Sequence, residues 1–170
     1  MRPRLLPTPA AAPSPLQALL DCHERIRRFC GGMTLLCEQP DPDDPRVVNT
    51  AERVARYLRV GLPLHAQDED ESVTPRLMGL ALPDELLAAL AVQQDEHVTI
   101  EALRCEVVLG LEQVVTHHTA LPVVSMGHLT PLLLSHIDAE ERLIFPHIPR
   151  LPQDEQQAIL RELLARRQSP

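Results

Sequence analysis

Aliphatic residues recur at helical spacing along most of this chain, and clusters of proline and glycine interrupt the pattern at only a few places. In residues 15–38, for example, Leu19, Ile26 and Met33 share one helical face. Ser14 and Pro15 before them are typical of a helix N-cap followed by proline at the first helical position. The period-two alternation that indicates strands is absent over any useful length. The sequence therefore predicts an all-α fold.

Breaks rich in proline divide the chain into four long helical segments and one short one. We predict helices over residues 15–38, 46–70, 84–118, 123–143 and 153–167, with residues 72–83 as a connection. Because the links are short, neighbouring helices should be antiparallel, which gives an up-down four-helix bundle with a short extra helix at the C-terminus. Pro63 is expected to kink the second helix, and Pro131 to bend the fourth.

This pattern also predicts the domain organisation. The Pro/Ala-rich residues 1–13 read as a flexible leader, residues 14–151 as the bundle, and residues 152–170 as a C-terminal helix and tail.

The charge of the chain disfavours nucleic acid and anionic membranes as partners. The net charge is −8, and every basic residue other than histidine is arginine, so no basic patch for nucleic acid or an anionic membrane surface is expected. No apolar run approaches the roughly 20 residues needed to span a bilayer. No secretory signal is recognisable, so we expect a cytoplasmic protein. Three cysteines (Cys22, Cys30 and Cys37) recur at helix-face spacing and are expected to be buried apolar residues.

Four of the eight histidines fall one to each long predicted helix: His23, His65, His97 and His136. Two of them are followed four residues later by a glutamate, Glu69 after His65 and Glu140 after His136. Residues at this spacing lie one turn apart on the same helix face, with Cβ atoms within about 6 Å. An imidazole and a carboxylate placed in this way can bind one metal ion, or the carboxylate can bridge two.

Four imidazoles and two carboxylates form a mixed nitrogen and oxygen donor set. Such a set suits Fe, Mn, Zn or Co and disfavours Ca and Mg, which prefer oxygen ligands. Six protein ligands are too many for one tetrahedral zinc ion and suit two ions bridged by carboxylates. The sequence therefore predicts a di-metal site.

One histidine on the first helix, HxxxE on the second, histidine on the third, and a second HxxxE followed by Glu141 and Leu-Ile-Phe-Pro at 143–146 resembles the hemerythrin-like HHE cation-binding family. The likeness covers about residues 16–151 and is nearest to the di-iron branch associated with repair of iron–sulfur clusters. The resemblance implies iron as the metal, with Zn or Mn as substitutes. It also implies terminal ligands at the four histidines and bridging ligands at Glu69 and Glu140.

The chain departs from the oxygen-carrying hemerythrins at two positions. Glu101 stands where they have a second histidine on the third helix, and it could be an extra ligand, a hydrogen-bond acceptor behind a ligand, or a solvent-facing residue. Those proteins place the fourth-helix carboxylate five residues after the histidine, which here is Glu141. We favour Glu140 by symmetry with Glu69 and keep Glu141 as second choice.

Two classes of function follow from this resemblance. The protein could bind or sense O2, NO or iron at the di-iron centre, or it could be a di-iron enzyme in oxidative or nitrosative stress defence or in iron–sulfur cluster repair. The oligomeric state is open, with a homodimer as one option. Ferritin-like di-iron proteins are disfavoured, because no histidine here has a glutamate three residues before it.

The remaining histidines and the single tyrosine receive structural interpretations. His117 and His118 are placed at the end of the third helix, His147 on the surface, and His128 among buried polar residues. Tyr57, two turns before His65, is expected to pack in the core, although it could face the same cavity.

Overall fold

The computed structural model of the protein describes residues 14–168, so the predicted leader at 1–13 lies outside the described residues. The described part of the chain is helical and contains no strand. It forms six α-helices: α1 Pro15–Glu38, α2 Pro45–Gln67, α3 Thr74–Met78, α4 Asp84–His117, α5 Val123–Ala139 and α6 Gln153–Arg166.

The four long helices pack side by side in a closed square. Helix α1 lies against α2 and α5, and α4 lies against the same two helices from the other side. The short link at 39–44 and the turn at 118–122 make consecutive helices antiparallel. This arrangement confirms the predicted antiparallel bundle, and α6 is the predicted extra helix at the C-terminus.

The first two helices begin where the sequence provides a capping residue followed by proline. The Ser14 side chain accepts a hydrogen bond from the amide of Gln17, and Asp44 accepts one from the amide of Arg46. Both bonds satisfy backbone donors that have no partner inside a helix. These caps set the start of the two helices that carry His23 and His65.

The predicted boundaries are wrong at the end of the second helix. Helix α2 continues through Pro63 to Gln67 and then passes without a break into a π-helical segment, Asp68–Val73, and on into α3. Most of the expected connection over residues 72–83 is therefore helical, and the chain leaves helical structure only after Met78.

A second π-helical segment, Glu140–Ile144, follows α5, and a 3-10 helix, Phe145–Arg150, follows that. In each π segment the carbonyl of a glutamate accepts a bond from an amide five residues later: Glu69 from Thr74, and Glu140 from Phe145. Wide turns of this kind often occur at functional sites in helices. Both predicted bridging glutamates therefore lie at the start of such a turn.

Two hydrophobic clusters stabilise the fold, one on each side of the four histidines. The distal core fills the bundle toward the link at 39–44 and includes Met33, Leu58, Leu111, Met126 and Leu133. The cap core lies at the opposite end, where α3, α6 and the 3-10 helix close the bundle. It includes Leu19, Leu77, Leu90, Phe145, Ile148 and Ile159.

Candidate metal centre

The four helices of the bundle bring one histidine each to a common level between the two cores. His23, His65 and His136 are buried, and the His97 side chain retains 11% exposure. The rings form two neighbouring pairs, because the ring centroids of His23 and His65 are 4.9 Å apart and those of His97 and His136 are also 4.9 Å apart. Phe145, from the Leu-Ile-Phe-Pro run, stacks on the His23 ring at 4.8 Å.

Glu69 and Glu140 lie between the two histidine pairs, and both are fully buried or nearly so. One Glu140 oxygen is 3.2 Å from His23 Nε2 and the other is 2.9 Å from His136 Nε2. One Glu69 oxygen is 3.6 Å from His65 Nε2 and the other is 3.4 Å from His97 Nε2. Each carboxylate therefore spans from one histidine pair to the other.

The donor atoms fall into two overlapping groups that each suit one cation. The first group contains His23, His65, Glu69 and Glu140, and the second contains His97, His136, Glu69 and Glu140. Within each group, the ligand atoms lie within 4.8 Å of one another. Donors about 2.1 Å from a single ion lie about 3 to 4.2 Å apart, which is close to this spacing. Both carboxylates belong to both groups, as carboxylates that bridge two ions would.

Unsatisfied polar atoms concentrate at the same place. Among the described residues, seven buried side-chain nitrogen or oxygen atoms have no hydrogen-bond partner, and six of them belong to the four residues of the first group. Buried polar groups without a partner are costly, so a cluster of them requires compensation. Cations would supply it, and the residues present therefore fit a pair of metal ions.

Carboxylates behind the rings orient three of the four histidines. The Nδ1–H of His23 donates to Glu141 at 2.8 Å, that of His97 to Asp70 at 3.0 Å, and that of His136 to Glu96 at 2.7 Å. Placing the proton on Nδ1 leaves the Nε2 lone pair directed at the site, as metal-binding histidines require. Glu141, the second-choice ligand, thus lies behind His23 instead of between the histidine pairs.

Sequence reasoning missed Asp70 and Glu96 as partners of the site. Each is directly adjacent in sequence to a site residue, Asp70 after Glu69 and Glu96 before His97. Their only sequence signal was that adjacency, because acidic residues at a helix surface are usually solvated.

The two predicted bridging glutamates, Glu69 and Glu140, differ in their surroundings. Gln93, buried on α4, donates from its amide to Glu140 at 2.7 Å, and its own oxygen accepts from Thr74 at 3.4 Å. Both oxygens of Glu69 lack a hydrogen-bond partner, as does Nδ1 of His65. The protein itself therefore holds Glu140 in place. Glu69 and His65 have no such hydrogen bond, so a bound cation would have to satisfy their polar atoms.

The pKa values of Glu69 and Glu140 are shifted in opposite directions. Burial raises the pKa of Glu69 well above its usual range, and the charge of Glu140 adds to this shift. Burial also acts to raise the pKa of Glu140, but interactions with the His136 and His23 rings outweigh it and lower that pKa well below its usual range. Burial lowers the pKa of His65 to about 3, which keeps the ring neutral. Because a cation competes with protons for its ligands, metal binding should release a proton from Glu69.

A cavity of about 370 Å³ leads from the surface to the histidines. His65, His97 and His136 contribute to its inner end, and its walls include Ile100 and Leu133. Its volume exceeds that of a diatomic molecule many times over, since one water molecule takes about 30 Å³. Small molecules can thus approach the site from outside.

Glu101, the position that differs from the oxygen carriers, lies at the edge of this cavity and not between the histidine pairs. It is 56% exposed and forms a double hydrogen bond with Arg104. Of the three alternatives left open for it, the structure supports the solvent-facing one.

The structure confirms some of the predictions for the other histidines and for Tyr57 and contradicts others. His128 is exposed, so its assignment to buried polar residues is wrong, because the outer face of α5 points away from the core at this position. His147 is half-buried and hydrogen-bonded to Arg150 rather than fully exposed. Tyr57 stacks on Phe29 at 3.9 Å and packs against the distal core, as expected. His117 ends α4, and His118 follows it in the left-handed conformation, as the helix-end placement predicted.

The cysteines also follow most of the prediction. Cys22 and Cys30 are buried and Cys37 is half-buried, whereas Cys105 is exposed on α4.

Helix α6 holds the π segment that carries Glu69. Asp68 has no exposed surface and accepts hydrogen bonds from Arg166 at 2.9 Å and from Arg167 at 2.5 Å. Arg166 also donates to Ser72 in the same segment. The end of the C-terminal helix thereby connects to the candidate metal centre through ion pairs with the buried Asp68 carboxylate.

Comparison with known proteins agrees with this geometry. The model of the Hemerythrin HHE cation binding domain matches residues 14–148, and the chain belongs to this family. The chain is also similar to an uncharacterized protein of Haemophilus influenzae, 29% identical over 69 residues, which is 39% of this chain and 40% of that protein. The matched segment thus spans less than half of that relative. None of the helices formed by residues 14–168 has an apolar stretch long enough to cross a bilayer.

Proposed function

We propose that the protein holds a non-haem di-iron centre that binds or senses O2, NO or iron. In this proposal His23 and His65 are terminal ligands of one ion, and His97 and His136 of the other. Glu69 and Glu140 bridge the two ions. One observation carries the assignment: each buried carboxylate reaches a histidine of both pairs.

Iron is the metal we favour because the resemblance to the hemerythrin-like family implies it, and His23, His65, His97, His136, Glu69 and Glu140 would hold it. Centres with few protein ligands and open positions are typical of non-haem iron that binds O2. Zinc or manganese could substitute in the same donor set. When bound, iron would supply ligand binding and electron transfer. The protein's own part is to orient the rings, bury the site and leave the cavity as a path to it.

The alternative is an enzyme of oxidative or nitrosative stress defence, or of iron–sulfur cluster repair. It would use the same six residues and the same cavity. The free thiols of the described part of the chain agree with a reducing compartment such as the cytoplasm, where either function would operate. We further propose residues 14–151 as the metal-binding domain, with residues 152–170 as its C-terminal cap.

Metal content tests the ligand assignment. We expect about two irons per chain in the protein purified from iron-supplied cells, and a clear loss of metal in His65→Ala. The exposed His128→Ala is the matched control, because it removes an imidazole that lies outside the site. Unchanged iron content in His65→Ala would refute the assignment, and a single zinc in place of two irons would refute the di-iron centre.

Exposure of the reduced protein to O2, and separately to NO, separates the two functional classes. A spectrum that changes on gas addition and returns when the gas is removed supports binding or sensing. Repeated consumption of the gas with an electron donor supports the enzyme. The His65→Ala protein serves as the reference for reactions that occur away from the site.

A further inference from the structure

Helix α4 presents an apolar stripe to solvent, on the side facing away from the bundle. We name as the α4 stripe a set of exposed residues: Leu87, Ala91, Gln94, Val98, Ala102, Cys105 and Leu109. Val98 is 73% exposed and Leu109 64%. Successive members are three or four residues apart, which is the spacing of a seam between two packed helices. The stripe contains one polar residue and no charged one, although 24% of the chain is charged.

The order of residues in the α4 stripe is nearly symmetric about its centre. Val98 is the midpoint, and positions equidistant from it along the chain are both members of the stripe. The pairs are Leu87 with Leu109, Ala91 with Cys105, and Gln94 with Ala102. A helix with this symmetry can pack on an antiparallel copy of itself so that large residues meet large ones and small residues meet small or medium ones. An interface of this type, in which each surface contacts its own equivalent, is typical of two-fold dimers.

We propose that the α4 stripe binds a second copy of this chain in an antiparallel arrangement, with the two-fold axis passing beside Val98. Leu87 of one copy then packs on Leu109 of the other at both ends of the seam. The alanines between them allow the helix axes to approach to about 8 Å, the close end of the usual range. Contiguous exposed apolar surface of this kind commonly marks an interaction site.

Charges beside the stripe do not oppose this packing strongly. Glu101 is neutralised by its double hydrogen bond with Arg104, and Glu106 accepts a hydrogen bond from Ser125. The Asp95 carboxylates of the two copies would be offset by about 9 Å along the helix axes, from the rise of 1.5 Å per residue. Physiological salt screens charges at this distance substantially.

The size of the stripe predicts a moderate affinity. Leu87 and Leu109 are separated by about 33 Å along the helix. A strip of this length and about 10 Å width is small beside the roughly 800 Å² per partner of standard interfaces, which places the dimer among weak, reversible ones. We therefore expect a dissociation constant in the micromolar range.

This dimer would also cover part of the surface next to the metal centre. Gln94 and Val98 of the stripe line a shallow depression together with Asp70, His97 and Glu101. A second copy on the stripe would shield the outer edge of the His97–Asp70 pair from water. The dimer itself does not depend on the metal, so the failure of one proposal leaves the other standing.

Disulfide trapping tests the antiparallel register. In a Cys105→Ser background, Val98→Cys should form a covalent dimer on mild oxidation. With helix axes about 8 to 10 Å apart, facing Cα atoms at the centre of the pair lie roughly 3.4 to 5.4 Å apart, which overlaps the disulfide range. In the unaltered chain the two Cys105 residues would lie about 21 Å apart along the axis and should not be linked. Ala91→Cys, with Cys105 retained, should be linked. Val124→Cys in the Cys105→Ser background is the control, since Val124 is 69% exposed on α5.

Sedimentation over about 1 to 500 µM tests the association itself. The unaltered protein should shift from monomer to dimer in this range. Leu109→Glu should weaken the association at least tenfold, because it places a carboxylate at both ends of the seam. Val124→Glu should have no effect. Metal content should be the same in both variants, which shows that they fold. A monomer at every concentration, or equal cross-linking of Cys105 and of Val98→Cys, would overturn the proposal.

Discussion

The distal core and the metal-centre end of the bundle are built on opposite principles. Around Leu58, Leu111 and Met126 the helices are regular and the buried side chains are almost entirely aliphatic. Around Glu69 and Glu140 the helices contain π turns, and buried carboxylates and imidazoles replace the aliphatic residues. The distal core stabilises the fold without a ligand. The metal-centre end carries unsatisfied polar groups, which lower the stability of the fold.

This contrast explains how the chain can hold a buried polar site with unsatisfied groups in a small bundle. Local rules of sequence and packing are typically violated at functional sites and satisfied elsewhere. The cap core and the Asp68–Arg166–Arg167 ion pair close the polar layer on its other side. The site thus lies between two apolar regions, and it opens to the outside through the cavity beside His65, His97 and His136.

Replacement of Glu69, at the metal-centre end, should have the largest effect of the substitutions considered. Glu69→Leu should abolish binding of at least one metal ion. It should also make the metal-free protein more stable by about 1–3 kcal/mol, because a buried unpaired carboxyl group is removed. Metal analysis and urea unfolding in chelator measure the two effects. The exposed Glu71→Leu is the control, and a metal-free Glu69→Leu protein less stable than the parent would contradict the contrast.

Leu111→Ala tests the distal core. Leu111 has no exposed surface, so the substitution should lower the free energy of unfolding by about 2–5 kcal/mol through lost burial and a cavity. Metal stoichiometry should stay at the parent value at temperatures where the variant is folded. A loss of metal in the folded variant would show that the two regions are not separable.

The buried Asp68 carboxylate joins the metal-centre end of the bundle to the end of α6 through its ion pairs with Arg166 and Arg167. Removing both arginines, Arg166→Ala with Arg167→Ala, leaves the buried Asp68 carboxylate without partners, and we expect a loss of about 2–4 kcal/mol. Metal affinity should fall as well, about tenfold, because Glu69 follows Asp68 directly. Equilibrium unfolding and competition with a chelator measure the effects. Arg161→Ala on the exposed face of α6 is the comparison, and equal affinity in all three proteins would exclude a positioning role for α6.

The smallest effect is expected at the exposed rim of the cap. Hydrogen bonds from Arg76 lower the pKa of Glu162 below its usual value of 4.5. A carboxyl group whose pKa is lower in the folded state contributes stability above its unfolded pKa and loses it as the pH falls through the folded value. Glu162→Gln should therefore cost less than about 1 kcal/mol at pH 7, and the difference from the parent should shrink as the pH falls below the usual pKa of 4.5. A difference that grows toward acid pH would contradict the assignment.

Much of the fold and the placement of the site residues could be predicted because both are periodic in the sequence. Four aliphatic stripes define the four helices of the bundle. One histidine on each helix predicted that the four rings lie at the same depth in the bundle. The structure does bring all six predicted residues together, while their action as ligands stays a prediction. The exposure of His128 could not be predicted, since the same spacing also fits a face turned toward the core.

The sequence by itself determined the helical bundle, the four histidines and the two HxxxE pairs, because hydrophobic period and residue spacing act within single helices. Only the tertiary structure decided what surrounds them. It placed Glu140 rather than Glu141 between the histidine pairs and put Glu141, Asp70 and Glu96 behind the rings. It also turned the end of the predicted second helix into a π segment held by α6, and replaced much of the expected connection after it with α3. These features depend on contacts between residues far apart in the chain, and local spacing carries no information about such contacts.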